Sequence, residues 1–222
     1  MKIGILSDLH GNFDATSSVL NSANQKGVNL LFILGDLVGY YFETQKILKI
    51  LKKWKCHYVI GNHEKLLRDY DGRKKENLSF YYTKRFLTKK QLDFLYNFPD
   101  ELSLKVQEKQ FYLCHSNPYH NNEYLYPSMK QKIIKRFKNR YEDIVIYGHT
   151  HYQFLCKDNK KIILNPGSVG QPRDKKGGAC WALYNCIDNS VSLFREKYNE
   201  HAFVNKSKKF NPKLNYGKYF LK

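Results

Sequence analysis

The stretch Lys2-Ile3-Gly4-Ile5-Leu6-Ser7-Asp8-Leu9-His10 decides the fold. Its first half is an apolar run of strand length, and it stops at a polar Asp-x-His block. The same arrangement recurs twice. Val28 to Leu34 is an almost unbroken apolar run, as expected of a central strand covered on both faces, and it stops at Gly35-Asp36. His57 to Ile60 reads as a third short strand and stops at Gly61-Asn62-His63-Glu64. Two helices fill the gaps. Asn12 can cap the first, which runs to about Lys26 with Phe13, Val19, Leu20 and Ala23 apolar, and Gly27 suits the position after its end. The second places Ile47, Ile50, Leu51 and Trp54 at i, i+3, i+4 and i+7, with Lys46, Lys49, Lys52 and Lys53 on the other face. Strand–helix–strand–helix–strand predicts an α/β layered fold with right-handed crossovers. Asp8 to Asp36 is 28 positions and Asp36 to Asn62 is 26, each close to one βαβ unit of about 30 residues. Each unit therefore delivers one polar block to the carboxyl ends of the strands, where such folds place their sites.

Further along, Leu66 to Pro99 reads as helical and polar, with Tyr81, Tyr82, Phe86, Leu92, Phe94 and Leu95 as packing residues. Phe111 to Cys114 is a strand ending at His115, and Ile144 to Tyr147 is a strand ending at Gly148-His149-Thr150-His151. Between them lie a loop, 116–128, rich in Asn, Pro and Tyr, and a basic helix from Met129 to Arg140 with six Lys or Arg and no acid. Ile162–Leu164, Cys180–Tyr184 and Val191–Phe194 are expected as strands of a second, antiparallel sheet. Residues 1–198 read as one domain, and the polar, basic residues 199–222 as a loosely held tail.

A chain of 222 residues with 42% apolar and 15% aromatic residues buries one full core. Its beginning has none of the pattern of a secretory signal, and no apolar stretch approaches the roughly 20 residues that span a bilayer. A soluble, cytoplasmic protein without membrane partners is expected. The five cysteines are odd in number and include no C-x-x-C pair, which suits reduced thiols. Cys114 neighbours His115, but strand alternation turns the two to opposite faces. The 38 Lys and Arg against 20 Asp and Glu leave +18, a field that attracts polyanions. Nucleic acid is therefore a possible partner. Only seven of those cations are arginine, however, and lysine without guanidinium forks or interleaved aromatic rings reads bases poorly. The lysines also read as an ordinary solvated surface.

The polar blocks carry the chemistry. Asp8, His10, Asp36, Asn62, His63, His115, His149 and His151 are the ligand inventory of a two-metal hydrolytic site. Each block alone is common; all of them in order, each ending an apolar run, are not. Two divalent ions roughly 3.5–4 Å apart clamp the attacking and leaving oxygens of an in-line phosphoryl displacement. Asp8 and His10 stand two apart, so a turn after the strand can aim both at one ion, and His149 and His151 repeat the two-apart spacing after a different strand. Gly35 lets the backbone bend tightly before Asp36. Two carboxylates against two divalent ions leave the site positive and favour an anionic phosphate. The mixed donors suit Mn, Fe, Zn, Co or Ni, with manganese taken first.

The order Asp8-x-His10, Gly35-Asp36-x-x-Gly39, Gly61-Asn62-His63-Glu64, His115, Gly148-His149-Thr150-His151 resembles the calcineurin-like metallophosphoesterase superfamily, over Lys2 to about Arg173. Asn165-Pro166-Gly167-Ser168-Val169-Gly170-Gln171-Pro172-Arg173 and Gly35-Asp36-Leu37-Val38-Gly39-Tyr40 are similar to its small bacterial phosphodiesterase branch. The resemblance implies a layered α/β/β/α sandwich of two mixed sheets flanked by helices. It implies that Asp8, His10 and His151 hold one metal, that Asn62, His115 and His149 hold the other, and that Asp36 bridges them. A hydroxide shared by the ions would attack phosphorus, His63 would protonate the leaving group as general acid, and Glu64 would orient His63. Phosphoprotein phosphatases of the superfamily carry an acid and an arginine shortly after the bridging Asp. Gly39-Tyr40-Tyr41 has neither, which argues against that branch. Asn12, Tyr40 and Arg173 are expected as substrate contacts, although Asn12 also fits a helix cap. The function implied is hydrolysis of a phosphorylated small molecule or nucleotide, diesters ahead of monoesters. Two alternatives are a nuclease, for which the basic helix and tail are the only added segments, and a non-catalytic scaffold like one retromer subunit of the same fold.

Overall fold

The computed structural model describes residues 1–73, 77–117, 123–158 and 161–214. Alternation within β1 (Lys2–Leu6) sets the two sides of the first sheet: Ile3 and Ile5 enter one apolar layer and Leu6 the other. β1 pairs in parallel with β2 (Leu30–Ile33), and β2 in parallel with β3 (Cys56–Tyr58). The crossovers are α1 (Phe13–Gln25) and α2 (Thr44–Leu51). Asn12 caps α1 as its type predicts, its side-chain oxygen accepting from Ala15 N at 3.1 Å. Further helices follow at α3 (Asn62–Asp69), α4 (Leu78–Phe86) and α5 (Lys89–Tyr96).

The second sheet is built from β4 (Glu101–Val106), β5 (Lys109–Cys114), β6 (Ile144–Ile146), β7 (Gln153–Asp158) and β8 (Lys161–Pro166), in the order β4-β5-β6-β8-β7. It is mixed, not antiparallel: β5, β6 and β8 run parallel, with antiparallel strands at both edges. Ile144–Ile146 is reached through α6 (Lys130–Phe137), so this half is also built from a crossover. The two edge strands carry no continuous apolar run, β4 alternating exposed and half-buried residues and β7 burying only Phe154 and Cys156, so their sequence does not announce them.

Two strands change sheets relative to expectation. β9 (Ala179–Asn185) and β10 (Ser190–Glu196) belong to the first sheet, in the order β10-β9-β1-β2-β3. β9 lies antiparallel against the free edge of β1, with Trp181 and Leu183 entering the helix-side layer and Ala182 and Tyr184 the layer between the sheets. An apolar run announces a strand, but which unpaired edge it closes is a non-local choice. The layers are therefore helix, sheet, sheet, helix: α1 and α2 cover the first sheet, while α6 covers the second through Ile133 and Phe137.

The tail expectation is corrected for its first part. Residues Glu200–Lys208 form α7, capped by Asn199. Phe203 is buried edge-on against Tyr41 at 4.9 Å, and Lys206 reaches both Asp14 oxygens (3.0 and 2.9 Å) and Glu43 (2.5 Å). Two apolar residues one helical step apart were too faint a pattern to reveal this contact. Residues 215–222 of the expected tail lie outside the described residues. Phe203→Ala should cost about 3–5 kcal/mol in urea unfolding with an unchanged denaturant slope; a loss below about 1 kcal/mol would mean that α7 is only loosely docked. Among the described residues no helix is long and apolar enough to cross a membrane.

Candidate metal centre

The polar blocks fall just after strand ends, and Asn62-His63-Glu64 opens the first turn of α3. Asp8, His10, Asp36, Tyr40, His149 and His151 all have φ between 50° and 67°. They make up most of the positive-φ residues other than glycine among the described residues, and each costs about 1 kcal/mol or more. The turns are zipped to one another: His10 N donates to Asp36 O (2.8 Å), Gly148 N to His115 O (2.9 Å) and Gly170 N to Asp8 O (2.9 Å). Gly61 has no strained φ but an obligatory small size, since a Cβ there would lie 2.0 Å from Asp36 Oδ1. Gly39 (φ +90°) likewise leaves room for the ring of His63, whose Nδ1 would lie 2.0 Å from a Cβ.

The side chains converge as expected. Asp8 Oδ1 lies 3.2 Å from His151 Nε2 and 3.7 Å from His10 Nε2. Asp36 Oδ2 lies 3.3 Å from His115 Nε2 and 3.9 Å from the Nε2 atoms of both His10 and His63. Asn62 Oδ1 is 3.0 Å from His115 Nε2. His149 joins through its backbone N–H, which donates to Asp8 Oδ2 (3.1 Å), and its ring lies 5.2 Å from that of His115. All are buried except Asn62 and His63, which are half-buried.

These donors fit a cation better than they fit one another. His10, His115 and His151 each direct Nδ1 at a backbone carbonyl, of Val38 (2.9 Å), Leu34 (2.6 Å) and Gln171 (2.6 Å). In a neutral ring that contact favours the Nδ1–H tautomer and turns the Nε2 lone pair toward the carboxylates, as in metal-bound imidazoles. The Nε2 atoms of His10 and His151 then face each other at 3.1 Å, both turned toward Asp8 Oδ1. Ser7 Oγ (2.6 Å) and His149 N satisfy Asp8 Oδ2, while Asp8 Oδ1 and His149 Nε2 are buried without a hydrogen bond. Positive ions held among these donors would satisfy them.

Charge tells the same story. Burial raises the Asp8 and Asp36 carboxyls, but His151 and His115 beside the first, and His115 and His63 beside the second, outweigh it and hold both below the usual carboxylate range. Burial drives His10 and His63 down, and burial with the His115 charge takes His149 to about 4. His115 goes the other way: against burial, Asp36 and Asp8 push it up to about 10. A proton thus occupies the metal-free site near neutral pH, and an ion bound by His115 must displace it. Below about pH 10 apparent metal affinity should rise with pH, up to tenfold per unit, with about one proton released per site filled. Calorimetry in buffers of different ionisation enthalpy reads that number; release of none would contradict it.

Two roles are corrected. Glu64 does not orient His63. It is wholly buried, and its oxygens accept from the backbone N–H groups of Asp36 (2.8 Å), Leu37 (2.7 Å), Val38 (3.2 Å) and Gly61 (2.9 Å). Standing three residues after the cap of α3, it reaches back to the helix start and across to the Asp36 turn. His63 is held instead by its N–H to Asp36 Oδ1 (2.8 Å) and by the ring of Tyr40 at 4.8 Å. Asn12 is not placed for substrate, because its amide is spent on Ala15 N, Gly170 O and Tyr198 Oη. Tyr40 and Arg173 do meet at the site: Tyr40 lies 4.5 Å from the His10 ring, and Arg173 donates to its hydroxyl at 3.0 Å. The carbonyls of Leu34, Val38 and Gln171 were invisible in sequence, since any residue supplies one. A cavity of about 520 Å³ opens beside Asn62 and His115, bordered by Ile60, Lys65 and Leu66.

The family model for the calcineurin-like phosphoesterase superfamily domain matches residues 1–189. The chain belongs to that superfamily. Within it, an uncharacterized protein, MJ0912, of Methanocaldococcus jannaschii is 29% identical over 223 residues, 89% of this chain and 88% of that one. Phosphodiesterase YfcE of Escherichia coli is 26% identical over 202 residues, 86% and 89% of the two chains. Among solved structures of the fold, a metallophosphoesterase from Sphaerobacter thermophilus superposes with a TM-score of 0.80 at 24% identity, covering 94% of each chain. Vps29 of Entamoeba histolytica shares the calcineurin-like fold at a TM-score of 0.53 and 16% identity, covering 90% of this chain and all of that one.

Proposed function

We propose that the chain is a metal-dependent phosphodiesterase with a dinuclear centre. Asp8, His10 and His151 would hold one divalent ion, and Asn62, His115 and His149 the other, with Asp36 between them. The observation that carries this reading is the pair of opposed His10 and His151 Nε2 atoms, 3.1 Å apart and 3.7 and 3.2 Å from the buried Asp8 Oδ1. Bound ions, manganese first, would neutralise a phosphate and lower the pKa of water toward neutrality. The chain's own contribution is orientation and proton transfer. The carbonyls of Leu34, Val38 and Gln171 keep three imidazoles in the ligating tautomer, and Glu64 keeps the Asp36 turn in place. His63 stands next to the ligand Asn62 with Nε2 toward Asp36 Oδ2, where it would hand a proton to the departing alkoxide. Tyr40 with Arg173 would border the phosphate. The named phosphodiesterase relative supports diesters over monoesters.

The test is turnover of bis-p-nitrophenyl phosphate against p-nitrophenyl phosphate by the chelated and the Mn²⁺-loaded protein, with His63→Ala alongside. The expected result is metal-dependent cleavage, faster on the diester, falling about a hundredfold in the variant. No turnover with Mn, Fe, Zn, Co or Ni demonstrably bound would leave the scaffold reading in its place.

A further inference from the structure

The ligands and His63 do not account for the tyrosines along one wall of the site. Tyr124 lies over the ring of His149, centroids 4.2 Å apart and planes 28° from parallel. Tyr126 is parallel to Tyr124 within 11° at 5.7 Å, and Tyr152 meets Tyr126 edge-on at 5.8 Å. Despite these neighbours Tyr124 is 38% exposed, and Tyr126 and Tyr152 are half-buried. A ring that served only to shield a ligand would be covered itself.

The segment that carries them is held firmly. Leu125 is buried, and its carbonyl accepts from Tyr147 Oη at 3.2 Å, while Tyr124 on one side of it meets the His149 ring and Tyr126 on the other meets Tyr124. Glu123 is pinned by Lys132 (2.5 Å), Arg136 (2.7 Å) and the Asn117 amide. Two cations of α6 are thereby spent on holding this wall, and Arg140, beyond the end of that helix, pairs with Glu142 at 2.6 Å. The wall offers partly exposed aromatic rings beside His149, which is the chemistry that takes planar aromatic groups without regard to their hydrogen-bonding edges.

We infer that Tyr124 and Tyr126 form a stacking subsite for a planar aromatic group on a phosphate ester, with a nucleobase as the natural occupant. This rests on the phosphodiesterase reading for what the bound molecule undergoes, and it makes the substrate a nucleotide diester or cyclic nucleotide in preference to an aliphatic one. Purines stack over more area than pyrimidines and should bind more tightly.

The experiment compares AMP with ribose 5-phosphate, which lacks the adenine, by calorimetry on the Mn²⁺-loaded protein. AMP is expected to bind at least about tenfold more tightly, within the range of one base stacked on an aromatic ring. Tyr124→Leu and Tyr126→Leu should bring the two ligands close to parity, while Tyr124→Phe keeps the preference. Tyr126 stands one ring away from His149, so its variant separates stacking from any loss of metal, with metal content measured on each protein. Equal affinities in the wild type, binding of neither ligand, or a preference that survives both leucine variants would overturn the inference. The readout needs no turnover. An adenine preference in a protein that cleaves no diester would remove the phosphodiesterase reading and leave the subsite standing, while cleavage without that preference would do the reverse.

Discussion

Replacing Asp36 with asparagine should lower metal-dependent diester turnover by at least about a hundredfold without unfolding the protein. Asp36 Oδ2 stands within 4 Å of His10, His63 and His115 at once, as Asp8 Oδ1 does of His10, His115 and His151, and Asp36 alone of the two carboxylates also reaches His63. Asparagine keeps the oxygen that accepts from His63 N, so the turn survives, but it removes the charge that two ions would share. A second readout comes with it. Asp36 is the leading electrostatic reason that His115 keeps its proton to about pH 10. In Asp36→Asn that proton should leave at lower pH, and the proton released on metal binding near neutral pH should fall below one. Wild-type turnover in the variant would show that Asp36 bridges nothing, and unchanged proton release would show that His115 is governed by another group.

Glu64→Gln should destabilise the metal-free protein by about 2–4 kcal/mol, the largest stability loss expected from any single isosteric change in the site. The carboxylate satisfies four backbone N–H groups in a fully buried position, two on each oxygen. An amide can accept on one oxygen only, and its NH₂ would face two donors. Burial and the Asp36 charge push the Glu64 carboxyl up to about 7, opposed by those same N–H groups, so the neutral amide escapes the first two costs and the loss comes from the N–H groups it leaves unmatched. Urea unfolding with and without Mn²⁺ measures the effect, and metal affinity should fall together with stability because the Asp36 turn loosens. A loss below about 1 kcal/mol would mean that the turn holds itself.

The comparison between Glu64 and His63 shows where sequence reasoning stops. Both stand in one four-residue block, and the block by itself locates the site. Their roles separate only in three dimensions, because the start of α3 points the glutamate back at two turns while the histidine faces the metal donors. Asn12 is similar: its type allows a cap or a contact, and Gly170 O and Tyr198 Oη, 158 and 186 residues away, decide for the cap and its anchoring. The Cys180–Tyr184 strand was legible as a strand, but its sheet was not, since a strand's apolar faces do not say which edge they will meet. The helix at Glu200–Lys208 was missed because it contributes only a small apolar face, and that face matters only once Tyr41 is beside it.

Local order along the chain determined the βαβ spacing, the strand ends and the ligand types, because period, turn chemistry and donor identity are properties of neighbouring residues. Tertiary structure alone decided which edge β9 closes, which carbonyls fix the imidazole tautomers, what Glu64 holds, and that Tyr124 lies over His149. Each of these is a contact between segments far apart in sequence, and burial in a shared core is what brings them within reach.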